Sequence, residues 1–166
     1  MQVAKYTFHG LTFLMQTSAT QPDPAQNEFQ RQMSGLLYSL LKWAQLSEFW
    51  TKVDKDAGWY LYAVGEAVPI APATPAQVEK FIVEMDALLR QDHRESYCGI
   101  VYADCLDKPS FIKIYDPNHL GVSCGSSKNA ILPGWIMSLA PPTELHLKYA
   151  LPANRQRWWQ GLFSQK

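Results

Sequence analysis

YCGIVYADCLDKPSFIKIYDPNHLGVSCGSSKNAILPGWIMSLAPP, residues Tyr97–Pro142, opens as a hairpin and continues as a run of turn-forming residues. Tyr97–Asp104 carries Ile100 and Val101 and reads as a strand. The turn LDKPS leads into a second strand, FIKIY, and the two are expected to pair antiparallel. Asp116-Pro117-Asn118 closes the second strand, because proline cannot donate to a central ladder and its neighbours favour turns. The rest of the stretch, to Pro142, reads as one long irregular loop. Ordered loops of that length are uncommon in compact domains and usually carry function.

Outward from this stretch, two segments show helical spacing. Thr74-Pro75-Ala76-Gln77 is a helix start, with threonine as cap, proline first and glutamine three residues after the cap. Val78, Phe81, Ile82, Met85, Leu88 and Leu89 form its apolar stripe. Asp23-Pro24-Ala25-Gln26 repeats that logic and heads a long helix through Phe29, Met33, Leu36, Leu37, Leu40, Leu41 and Ala44. Gly35 inside it costs about 1 kcal/mol against alanine, which suggests close packing by a neighbour. A short second helix is expected from Ser47, with Phe49, Trp50 and Val53. The shared Pro-Ala-Gln start is explained as well by common capping chemistry as by duplication.

A strand or hairpin is expected at residues 3–15, with Val3, Tyr6, Phe8, Leu11, Phe13 and Leu14, and a strand at 58–68, GWYLYAVGEAV. Thr143–Leu151 alternates and reads as an edge strand, and Pro152 opens a short last helix. The fold class that follows is α+β: a single domain over 1–166 with a mixed or mostly antiparallel sheet of about four to five strands. Two long amphipathic helices and a short C-terminal helix pack on that sheet.

Composition narrows the function classes. The 166 residues are 47% hydrophobic and 18% charged, a globular balance. Such a chain buries roughly 70% of its unfolded surface and needs no metal or disulfide for support. Fifteen basic and fifteen acidic side chains cancel, so no global field points to nucleic acid or an anionic membrane. Locally, Lys148, Arg155, Arg157 and Lys166 follow Glu144 with no further acid. Three cysteines suit a reducing compartment better than a disulfide framework. The N-terminus lacks a charged region followed by a long apolar core, and no window is long enough to span a bilayer. Cytoplasmic location is the expectation.

Three sites stand out. Between Asn118 and Lys128, Gly121 and Gly125 permit a backbone nest for an anion, with Ser123, Ser126, Ser127 and Lys128 as further donors. The spacing is not that of a Walker A loop, so nucleotide binding by that mechanism is disfavoured. Cys124 is a candidate nucleophile, with His119 as base and Asp116 or Asp104 to orient the imidazole, although no signature of a cysteine hydrolase is present. The spacing Cys98-x6-Cys105-x18-Cys124 is not that of a zinc site, and no metal or cofactor is expected. Third, Trp158, Trp159, Leu162 and Phe163 share a face of the last helix beside Arg155. That face closes the core, binds a partner or, given the local positive bias, attaches shallowly to an anionic membrane. The leading expectation is an accessory or regulatory protein that binds an unidentified protein partner without catalysis. An anion-binding protein or a cysteine-dependent enzyme using the Asn118–Lys128 loop is the alternative.

Overall fold

The computed structural model describes residues 27–119, 131–147 and 151–164. In chain order these form α1 (Glu28–Ser34), β1 (Tyr38–Ser39), α2 (Trp43–Lys52), β2 (Tyr60–Ala63), α3 (Pro75–Asp92), β3 (Val101–Ala103), β4 (Phe111–Ile114), β5 (Trp135–Ser138) and α4 (Ala153–Leu162). The five strands make one antiparallel sheet in the order β1-β3-β4-β5-β2. This is the α+β class expected.

Side-chain alternation divides the sheet into two buried faces. On one, Leu61, Ala63, Val101, Ala103, Ile112, Ile114, Trp135 and Met137 meet α2, α3 and α4 in the main core. On the other, Tyr62, Phe111 and Ile136 join Phe29 of α1, with Leu145 and Leu147 packed over them. Lys113 also points to this second face, where its Nζ donates to the Met33 carbonyl in the last turn of α1. An ammonium at a helix C-terminus satisfies an orphan carbonyl and complements the helix dipole. Its burial is still costly, and desolvation pushes the Lys113 pKa below its usual value.

The start of α3 is as the sequence implies. Thr74 Oγ1 accepts from the Gln77 N–H at 3.2 Å, and Gln77 Oε1 accepts from the Thr74 N–H at 2.8 Å. The β3–β4 hairpin is present, and Ala103 pairs with Ile112.

Several expectations need correction. The single helix expected from residue 23 to Ala44 is two helices with β1 between them. The observed capping box is Asn27 with Gln30, and α1 ends at Gly35, where the backbone is extended. A Cβ at Gly35 would sit 3.1 Å from the Arg31 carbonyl, so this glycine serves the helix end rather than a neighbour's approach. The second helix starts at Trp43, not Ser47, with the Gln45 side chain bonding back to the Lys42 N–H at 3.0 Å. The edge strand expected at Thr143–Leu151 is not formed over residues 143–147. Leu145 and Leu147 alternate because they press onto the second face of the sheet. At Gly65, with φ +98°, an added Cβ would run into Leu147 and Leu151, so the absence of a side chain lets this segment close over β2.

The long irregular loop contains a strand. Trp135–Ser138 is β5, buried along its whole length between β4 and β2. A strand covered on both faces lacks polar alternation, so its four residues carried no period to read. The strand expected at residues 3–15 lies outside the described residues.

Candidate functional site

The end of β4 is held by a compact ionic cluster. Asp116 follows the strand by two residues and is only 4% exposed, and Arg155 in the first turn of α4 is 7% exposed. The guanidinium meets the carboxylate in a fork: Nε donates to Asp116 Oδ2 and an Nη to Oδ1, both at 2.8 Å. The same terminal nitrogen lies 2.7 Å from Asp92 Oδ2 at the end of α3. Burial works against the charge on Arg155. Asp116 and then Asp92 outweigh it, so the arginine pKa rises above its ordinary value. Asp116 Oδ1 also accepts the Asn118 N–H at 2.9 Å, a local turn that starts the following segment. One cation therefore ties α4, α3 and the exit of β4 together.

A small cleft opens beside this cluster, walled by Trp135, Trp159 and Gly134, with Glu66, His119 and Arg155 at its polar side. His119 Nδ1 stands 4.0 Å from Asp116 Oδ2, beyond hydrogen-bond distance. Asp116 is committed to Arg155, and Arg155 is committed to two carboxylates. With Glu66 the cleft is acidic on balance, which disfavours an anion. Two members of the expected cysteine–histidine–aspartate set, His119 and Asp116, are thus neighbours. Cys124, Gly121, Ser123, Gly125, Ser126, Ser127 and Lys128 lie outside the described residues.

Cys98 is fully buried, and burial pushes its thiol pKa up, so it behaves as a packed apolar side chain. Cys105 is exposed. Among the described residues no group of three His, Cys, Asp or Glu side chains is placed to hold a metal ion. No described helix is long and apolar enough to cross a membrane.

The residues expected to meet a partner on α4 face their own domain. Leu162 is buried in the main core with Trp158, Trp159 and Phe163 packed against it. Trp159 sets its ring edge-on to Phe81 of α3 at 6.2 Å, and Trp158 does so to Trp135 at 5.6 Å. Four large apolar side chains and a buried arginine make α4 the element that closes this end of the core.

Apolar exposure concentrates elsewhere. Of the seven large hydrophobic side chains exposed among the described residues, five border β1: Leu36, Tyr38, Leu41, Tyr97 and Leu106. Leu36, Tyr38 and Leu41 belong to β1 and its flanks. Tyr97 precedes Cys98, whose N–H donates to the Leu41 carbonyl at 2.8 Å. Leu106 lies three residues past Ala103, the partner of Tyr38. Exposure runs from 36% at Leu106 to 80% at Leu36. Among the described residues β1 is also an edge strand, so this apolar margin runs beside backbone N–H and C=O groups that no described strand pairs. The run LLYSLL carried the signal in the sequence, but its leucines fitted a helical stripe equally well.

No family model, no curated protein and no solved structure matches the chain.

Proposed function

We propose that the protein is a small cytoplasmic accessory or regulatory protein that acts by protein–protein binding through the β1 margin, without catalysis of its own. The supporting observation is that Leu36, Tyr38, Leu41, Tyr97 and Leu106 lie on or beside a sheet edge that no described strand covers. Scattered surface hydrophobics need no explanation, whereas their concentration at one margin of the sheet supports an interaction surface there. An open edge adds main-chain hydrogen bonding to that strip, the combination used when a partner contributes an extra strand. The cytoplasmic part of the reading rests on the odd cysteine count and on Cys98 and Cys105 both being free thiols.

The test is affinity capture from the source cell with wild type, Tyr38→Lys and Ile70→Lys. Ile70 is the fully exposed control outside the margin. Partner recovery is expected to fall at least tenfold for Tyr38→Lys and to stay at the wild-type level for Ile70→Lys. Equal recovery by all three chains removes the β1 margin as the contact.

A further inference from the structure

The hold of α1 on the sheet is thin. Seven residues are too few for a helix that persists by itself, so α1 exists only while docked. Its one buried side chain is Phe29, set edge-on to Phe111 at 5.7 Å. The polar part of the interface is incompletely matched. Gln32 Nε2 donates to Ser110 Oγ at 3.1 Å, yet Gln32 Oε1 is buried with no partner among the described residues. Beneath the last turn lies Lys113, 9% exposed in the middle of the sheet. Its cross-strand neighbours are Tyr102 and Ile136, and no described carboxylate pairs with it. The ammonium has three N–H donors and one acceptor among the described residues, the neutral Met33 carbonyl.

Two effects of Lys113 on α1 therefore oppose each other. The bond to the Met33 carbonyl ties down the last turn and complements the helix dipole. Burial strips water from the whole ammonium, and one neutral acceptor returns only part of what hydration supplied. An unpaired buried cation costs more than a single charge-assisted hydrogen bond recovers, so the net push is outward. The lowered pKa of Lys113 expresses the same cost. Lifting α1 alone would hydrate both Lys113 and Gln32 Oε1. β4 would stay in place, because its ladders to β3 and β5 and its packing in the main core do not involve α1.

We propose that α1 is a strap that opens by itself while the rest of the sheet stays folded, and that the Lys113 ammonium drives the opening. Opening uncovers Phe111 on the second face and frees Phe29 and Met33. The strand pairing of β1 begins only at Tyr38, so it survives the departure of a helix that ends at Ser34. The strap opens whether or not a partner sits on the β1 margin.

The experiment is native-state hydrogen exchange on the full chain at neutral pH, comparing wild type, Lys113→Met and Lys113→Leu. Reporters in α1 include the Arg31 N–H, bonded to the Asn27 carbonyl at 3.1 Å, and the Gly35 N–H, bonded to the Gln32 carbonyl at 3.3 Å. In wild type these amides are expected to be protected at least about a hundredfold less than those of β4 and β5. Both neutral variants give up the bond to Met33 and are nevertheless expected to raise α1 protection about tenfold or more. Three results overturn the proposal. Wild-type α1 amides as protected as β4 and β5 would mean that α1 opens only with the whole domain. A fall in α1 protection in the neutral variants would make the Met33 bond a net hold. A rise confined to β4 and β5, with α1 unmoved, would show that the ammonium stays buried when α1 lifts. The wild-type comparison stands without either variant.

Discussion

Replacing Arg155 by methionine tests the ionic clamp that holds α4. The substitution keeps an unbranched stem of similar reach against Trp135, whose ring lies 5.8 Å from the guanidinium carbon. It strips the fork from Asp116, which is 4% exposed and keeps only the Asn118 N–H. Asp92 is better placed to recover, since its side chain is 24% exposed and can be hydrated. The cost is thus dominated by one uncompensated buried carboxylate. Breaking a buried pair from one side typically costs about 3–5 kcal/mol. For a chain of this length each kcal/mol moves the melting temperature by about 2–4 °C, so a fall of roughly 6–20 °C is expected. Urea unfolding followed by tryptophan fluorescence reads the loss, because Trp135, Trp158 and Trp159 surround the cluster. The double variant Asp116→Leu/Arg155→Met removes both charges and is expected to recover most of the loss. Two results would refute the reasoning: Arg155→Met within about 1 kcal/mol of wild type, or a double variant as unstable as the sum of the singles.

Thr74→Ala removes the side-chain acceptor from the α3 capping box and should lower stability by about 0.5–2 kcal/mol in the same assay. Lys113 has its folded pKa held below the usual 10.5 by burial, so its charge opposes folding at neutral pH. That penalty is fully present below the folded pKa and fades as pH rises from there towards 10.5. The stability of Lys113→Met relative to wild type should therefore decline over this alkaline window, and a pH-independent difference would show that burial of the charge is not the cause. In the native state Cys105 should react with a thiol reagent at the rate of an exposed cysteine, while Cys98 should react only after unfolding. Mass mapping of the labelled peptides checks both.

What was legible in the sequence follows from how each element is stabilised. α3 carries a complete local message, a capping box and one apolar stripe, and both are where the spacing put them. The β3–β4 hairpin was equally readable, because a short turn fixes its partner. β5 had no local signature. It is buried on both faces, and its place between β4 and β2 is fixed by pairings to residues far along the chain. The break between α1 and α2 was hidden by leucines at 36, 37, 40 and 41, which satisfy a helical stripe as well as an edge strand beside β3. The pattern gives no reason to prefer the strand; the pairing of Tyr38 with Ala103 decides it. At the candidate site, Asp116 and Arg155 were both noted, one as a turn and loop residue and the other as a hot-spot arginine. Their union depends on where α4 docks, which no local spacing records. The β1 margin was missed for the same reason as β1 itself.

Site-specific photo-crosslinking tests the binding margin most directly, with benzoylphenylalanine placed at position 38 in one chain and at position 70 in another, both irradiated in the source cell. The account predicts discrete higher-mass adducts from position 38, whether to a second copy or to another protein, and background from the fully exposed position 70. Background at both positions, or adducts of equal yield from each, contradicts it.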